Sequence, residues 1–264
     1  MKKNTEKNKY KLCAIMTTGR TGSDYLNGCL DNVKNLMVFS GKFDYQIFFS
    51  SNKHLIDKEI IIFKFLKKYR HLLKENKIEN LKLNIKIQNF RKIFLNISPP
   101  KMNRKTFLIK LFETYHLTLN RKLNNLNTII YHTHNKDLTK KFLNDFPNSK
   151  ILATIRDPRA NLMSGLKNWF HYDHRRIHME HIWIYLRRIR DDLKFLNSIK
   201  NKKFFVKLEN MEKISYKSKI LKFLKVKFDR NINLSTYANI PWNGDKLSNF
   251  NNQKGVFNKS VKVK

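Results

Sequence analysis

Acidic residues are scarce in this sequence of 264 residues: 20 Asp and Glu face 55 Lys and Arg, a formal charge of +35. That balance invites a nucleic-acid reading, but a groove-binding protein concentrates its charge on one face. Here the lysines are spread through nearly every segment, beside abundant Asn and Ile. An AT-rich coding sequence produces that spread, so no specific nucleic-acid partner is expected, although the charge would steer an anionic substrate. Cysteine is limited to Cys13, in an apolar strand-like run, and Cys29, in the helix after it. Two such positions exclude a disulfide framework and fit reduced core residues of an intracellular protein. No window reaches the roughly 18 apolar residues of a membrane span, and the polar start with its short apolar run at 12–16 is no signal-peptide core. A soluble cytoplasmic chain is the expectation. Repeats and Pro/Gly/Ser-rich linkers are also missing, and 41% hydrophobic residues suffice for the core of a single domain over 1–264.

After a start at 1–10 expected to be disordered, residues 12–17 read as a buried strand, 18–22 as a tight turn and 23–31 as a helix. Residues 36–40 offer a second short strand. Between 56 and 119, apolar residues such as Ile61, Phe65 and Leu72 recur at helical spacing, which predicts a mostly helical region broken at Ser98-Pro99-Pro100. Strands are predicted over 128–132, 150–155 and 204–208. Helices are predicted over 137–146, from Pro158 past Trp169, over 178–199 and over 218–224. From Asn231 to the end, 231–264, the chain is Asn-rich and irregular. Strands alternating with helices predict an α/β fold, a parallel β-sheet flanked by helices, with a helical insertion over 45–125. In such sheets ligands bind at the carboxyl ends of the strands, near the helix starts. Both motifs that carry chemistry lie there.

The first runs Thr17-Thr-Gly-Arg-Thr-Gly-Ser-Asp-Tyr-Leu26. Gly19 and Gly22 let the backbone bend sharply and approach a ligand, and the N–H groups of the turn and helix start can converge on an anion. Thr17, Thr21 and Ser23 add hydroxyls, and Arg20 a permanent planar charge. An ordinary turn with Ser23 as cap needs less than this. The nucleotide-kinase loop G-x-x-x-x-G-K-[ST] is not matched, since no Lys follows Gly22 and the glycine spacing differs. The second motif, Ile155-Arg-Asp-Pro-Arg-Ala-Asn-Leu-Met-Ser164, delivers Arg156 at a strand end and Ser164 two turns into the next helix. These two can grip one phosphate from two sides. The plainer alternative is an Arg156–Asp157 ion pair with Ser164 an exposed helical residue.

Together these residues resemble the sulfotransferases that use 3′-phosphoadenosine 5′-phosphosulfate. Residues 17–26 resemble their 5′-phosphosulfate loop, and 155–164 their 3′-phosphate motif. Val206-Lys-Leu-Glu-Asn-Met211, Trp242-Asn-Gly-Asp245 and Gln253-Lys-Gly255 resemble later elements of the family, in family order. The resemblance implies a P-loop-NTPase-like sulfotransferase architecture in which a sulfuryl group passes to an acceptor hydroxyl or amine, leaving adenosine 3′,5′-bisphosphate. No metal is expected. It places Arg20 at the catalytic position, and Thr18, Gly19, Thr21, Gly22 and Ser23 around the 5′-phosphosulfate. Tyr25 falls at an adenine-stacking position, Arg156 and Ser164 at the 3′-phosphate, and Lys254 and Gly255 in a segment touching that phosphate. Gln253 stands where the family has Arg.

The resemblance also needs a general base. His134, in Tyr131-His-Thr-His134, resembles the catalytic His of a K-T-H element, with His132 and Asp44 as alternatives. Other branches place a Glu in a segment resembling Phe39-Ser-Gly-Lys-Phe43, where this chain has Lys42. His171, His174, His178 and His181 form a cluster that lacks the carboxylate of an H-E-x-x-H metal site, and Arg175 and Arg176 beside it suit an anionic acceptor. Glu209 is expected to anchor the sheet, and Trp169, Trp183 and Trp242 to be core or cleft wall. The acceptor is a small-molecule, carbohydrate or lipid group met by residues 45–125. Two alternatives stand beside transfer: a degenerate sulfotransferase, or a nucleotide- or nucleic-acid-binding module using the same anion sites.

Overall fold

The computed structural model describes residues 9–50, 54–74, 85–169 and 178–242. The chain runs β1 (Lys11–Thr17), α1 (Ser23–Asp31), β2 (Leu36–Val38), β3 (Ile56–Asp57), α2 (Lys58–Tyr69), α3 (His71–Lys74), α4 (Ile87–Ile97), β4 (Lys101–Met102) and α5 (Arg104–Thr118). It continues through β5 (Thr128–His132), α6 (Lys136–Asp145), β6 (Lys150–Ile155), α7 (Pro158–Trp169), α8 (Met179–Ser198), β7 (Lys203–Lys207), α9 (Ile214–Leu224), β8 (Thr236–Tyr237) and β9 (Ile240–Pro241). Five strands form one parallel sheet in the order β2-β5-β1-β6-β7.

Central strands of such a sheet are covered on both faces, so their sequences are continuously apolar. Every residue of β5 is buried, as is every residue of β1 after Lys11. The edge strand β7 is more exposed, and Lys203 on it folds back to the Leu196 carbonyl (2.5 Å) and the Ile199 carbonyl (3.0 Å), satisfying the open end of α8. The register brings the carboxyl tips of three neighbouring strands level: Thr17 pairs with Thr154 of β6, and Ile15 with His132 of β5. Residues 18–22, 133–134 and 156 therefore leave the sheet side by side, on strands about 4.8 Å apart.

The insertion between β2 and β5 is helical, as its periodicity predicts, and is packed on aromatic rings. Phe65 meets Phe39, Phe43, Phe90 and Phe107 at centroid separations of 5.6–6.5 Å. The Pro-Pro break leads into β4, which pairs antiparallel with β3; two residues per strand leave no alternation to read. Asp145 ties the insertion to the sheet layer. It accepts hydrogen bonds from Tyr45 (2.6 Å) and Gln46 (2.6 Å) and pairs with Arg104 at 2.5 Å. The start of the C-terminal region is less irregular than its composition suggests, since β8 and β9 pair and Asp31 of α1 accepts from Thr236 Oγ1 (2.9 Å) and the Asn239 N–H (3.1 Å). No helix among the described residues is long and apolar enough to cross a membrane.

Candidate active site at the carboxyl ends of the strands

The loop after β1 turns through two left-handed glycines, Gly19 at φ +119° and Gly22 at φ +76°. A β-carbon on Gly19 would stand 2.5 Å from the Tyr185 hydroxyl oxygen, and one on Gly22 would overlap Leu208. Only glycine fits either position. The loop is held from α7 and α8. Its Arg20 N–H donates to Asn161 Oδ1 (3.0 Å) and to the Tyr185 oxygen (3.3 Å), while Asn161 Nδ2 donates to the Thr18 carbonyl (3.3 Å). Tyr185, fully buried, donates to Asn161 Oδ1 at 2.6 Å.

The hydroxyls turn inward. Thr17 Oγ1 bonds the Gly19 carbonyl and lies 2.7 Å from Thr21 Oγ1, which in turn lies 2.6 Å from Thr154 Oγ1. Thr18 Oγ1 donates to the Thr154 carbonyl at 3.3 Å. The sequence reading gave the Thr17 and Thr21 hydroxyls to an anion; in this structure they fasten the loop to β6, and what the loop presents outward is the half-buried Arg20. Ser23, expected as a donor, is buried as the first residue of α1, behind Gly22 as cap.

At the tip of β6, Arg156 is half-buried. Burial pulls its guanidinium pKa down, Arg20 adds to this, and Glu209 opposes it. The two arginines thus lie within each other's field. The alternative of an Arg156–Asp157 pair is not what forms. Asp157 pairs with Arg159 at 3.0 Å and accepts the N–H groups of Arg159 (2.9 Å) and Ala160 (3.3 Å), capping α7 around Pro158. Those contacts, the Arg159 side chain first, hold the Asp157 pKa down at about 2. Glu209 accepts the Asp157 N–H at 2.8 Å and so bridges the tips of β6 and β7. Ser164 lies partly exposed on α7, next to Gly165, where an added β-carbon would strike the Tyr185 ring.

Beyond β5, Thr133 bonds back to the Ile15 carbonyl through N–H (3.0 Å) and hydroxyl (2.9 Å), and His134 takes a left-handed conformation at φ +69°. A non-glycine residue there is uncommon and is a place to look for function. Burial, then Lys42, Arg188 and Arg20, holds the His134 pKa down at about 4 against the opposing pull of Asp24. Its Nδ1 has no hydrogen-bond partner. His132, buried, lies with Nδ1 3.8 Å from Asp24 Oδ1, and burial and then Lys42 hold its pKa well below the usual imidazole value. Lys42 bonds Asp24 at 2.9 Å. Burial works against ionisation of Asp24, but Lys42 and the two histidines outweigh it, so its carboxyl stays well below the usual range. At neutral pH this corner therefore carries Asp24⁻, the cations Lys42, Arg20 and Arg188, and two uncharged imidazoles.

Among solved structures, the chain is similar to sulfotransferase domains. One, from the curacin biosynthetic pathway, aligns over 94% of this chain and 83% of its own with a TM-score of 0.54 and 14% identity. Another, from the Synechococcus PCC 7002 olefin synthase, aligns over 92% and 81% with a TM-score of 0.57 and 15% identity. The fold is that of sulfotransferase domains. No family model and no curated protein matches the sequence.

Other expected residues fall elsewhere. Tyr25, expected at an adenine-stacking position, is 6% exposed and sits in the core beside Cys29. Trp183, expected as core or cleft wall, is 62% exposed on α8, whereas Trp242 is buried. The His178 and His181 rings are 5.5 Å apart at the start of α8, and no group of three metal-ligating side chains occurs among the described residues. Lys254 and Gly255, with Gln253, His171, His174, Arg175 and Arg176, lie outside the described residues. Asn161, Tyr185, Arg188, Thr154 and Asp24 were missed. Asn161 had one available signal: with Asp157 and Ser164 it shares a face of α7 at helical spacing. Tyr185 approaches from another helix and had none.

Proposed function

We propose that this chain is a sulfotransferase that takes its sulfuryl group from 3′-phosphoadenosine 5′-phosphosulfate and gives it to a hydroxyl or amine of a small-molecule, carbohydrate or lipid acceptor. What carries the reading is the convergence, at three adjacent strand tips, of two mutually repelling arginines and an uncharged histidine. Two cations close enough that Arg20 helps to lower the Arg156 pKa favour a ligand with anionic groups at both ends. In this reading Arg156 and Ser164 hold the 3′-phosphate, with Lys254 and Gly255 as further contacts. The backbone of residues 18–23 and the Arg20 guanidinium receive the 5′ end.

In transfer, a bond from sulfur to the acceptor's oxygen or nitrogen forms as the bond from sulfur to the phosphate oxygen breaks. Arg20 stabilises the charge that develops on that leaving oxygen, and His134 accepts the acceptor's proton at a ring nitrogen. A histidine pKa near 4 keeps the imidazole unprotonated at neutral pH. Residues 45–125, beside the cleft in sequence order, are proposed to shape the acceptor pocket.

The test has two arms. Adenosine 3′,5′-bisphosphate should bind at least tenfold more tightly than AMP, and labelled donor screened against hydroxyl acceptors should yield transfer that Arg20→Ala lowers 10²- to 10³-fold, about 3–4 kcal/mol of barrier. Equal binding of the two nucleotides, or full-rate transfer by Arg20→Ala, overturns the proposal. One observation favours a second reading, binding without transfer: the Arg20 N–H and the threonine hydroxyls are already bonded within the protein. Tight bisphosphate binding with no turnover on any acceptor would select it.

A further inference from the structure

The opposite pole of the sheet holds a cavity of about 550 Å³. It opens at the amino ends of β1, β5 and β6, where the register sets Lys11 opposite Thr128 and Cys13 opposite Lys150. Four lysines line it, each from a different part of the chain: Lys11 from β1, Lys105 from α5, Lys150 from β6 and Lys225 just after α9. Asp145 is the one carboxylate in the described wall, and it is already held by Arg104, Tyr45 and Gln46.

The helices weigh against an anion here, because α6 and α9 both end at this pole and each carbonyl end carries roughly half a negative charge. Lys150 answers part of that by bonding the Phe223 carbonyl. Four full positive charges against about one negative charge from two helix ends leave a clear surplus. Lys150 feels it: burial first, and then Lys225, Lys11 and Lys202, lower its pKa, with only Cys13 opposing. In a chain with 55 basic residues, surface lysines alone would prove nothing. The independent observation is Ser149, in the cavity wall. It is 4% exposed and its hydroxyl has no hydrogen-bond partner. A buried hydroxyl left unmatched is a cost that a bound acceptor removes.

We propose that this cavity is a second anion site, separate from the carboxyl-end cleft, that takes a phosphomonoester carrying an apolar body. The lysines and the Ser149 hydroxyl meet the phosphate. Phe146, Pro147 and Leu224 supply an apolar wall for the remainder, and the volume is of the size that encloses small organic ligands. The inference does not depend on the reaction assigned to the other pole.

The test titrates phenyl phosphate and inorganic phosphate into the full chain at near-physiological salt, which screens diffuse attraction. The variant Lys11→Gln/Lys105→Gln/Lys225→Gln is compared with Lys64→Gln/Lys67→Gln/Lys68→Gln, which removes the same charge from the exposed face of α2. The site variant should weaken phenyl phosphate at least tenfold and the control less than twofold, and inorganic phosphate should bind the wild type at least tenfold more weakly than phenyl phosphate. Amide resonances of Phe146 and Lys150 should shift on binding. If the triple variant unfolds, the three single substitutions and Ser149→Ala are read in its place. Equal weakening in both triple variants means a general cationic surface only and overturns the proposal. So does binding that survives the site variant but is lost in Arg156→Ala, which assigns it to the other pole.

Discussion

The two connections that bear the arginines leave neighbouring strands at the same level, yet they are held in opposite ways. The loop after β1 is fixed by partners far away in sequence: Asn161, Tyr185 and Thr154. The turn after β6 is fixed mainly by Asp157, which caps its own helix and pairs with Arg159 two residues on. A long-range staple exists only when the domain is assembled, whereas a local cap forms with its helix. The first loop should therefore report the state of the whole fold, and the second should not.

Acid is the broadest way to separate them. His132, at the end of β5, and His134, just after it beside the first loop, have folded pKa values below the unfolded value of about 6.5. Their contribution is intact above that pH and is lost as pH falls through 6.5 toward about 4. For His134 the slope is roughly 1.4 kcal/mol per pH unit, so about 3 kcal/mol should be gone by pH 4.5 in denaturant titrations, and His132 adds to the loss in the same direction. Asp157 loses its contribution in the same direction but in a lower window. Its folded value of about 2 means its contribution persists until pH falls below the unfolded carboxylate range. Loss of the α7 cap before the histidine-linked loss would break the comparison.

Gly19→Ala comes next. The substitution combines a disfavoured φ of +119° with a contact against the Tyr185 oxygen, which together should cost about 3 kcal/mol in chemical denaturation. Tyr185→Phe removes the hydroxyl but keeps the ring, and should cost about 1–2 kcal/mol while amide exchange at Arg20 quickens. Asp157→Ala should have the smallest effect, confined to faster exchange at residues 159–160, with Arg20 exchange unchanged. If Asp157→Ala loosened Arg20 as much as Tyr185→Phe does, the two connections would not be independent.

Much of the sheet was legible because strands buried on both faces must be written as unbroken apolar runs, as in 12–17 and 128–132, and because glycine turns and Pro158 punctuate the chain. The motifs could be placed at strand ends for the same reason. Side-chain direction was not legible. A threonine beside a glycine turn can face ligand or sheet with equal local propensity, and the position of Thr154 across the register decides that Thr21 faces inward. Tyr25 lies on a helix buried almost all round, so an aromatic ring that looked available for a base is core. Trp183 shows the reverse, a large apolar ring left exposed on α8. The Asn161–Tyr185 contact joins two helices, and no periodicity within either one announces it.

The Tyr185 ring rests against two bare backbones, Gly19 in the loop and Gly165 on α7, and a β-carbon at either would collide with it. Those three positions cannot drift one at a time. A methyl group gained at either glycine is tolerable only in a chain that has already given up the phenol, and a lineage that has done so has lost the post against which its arginine loop stands upright.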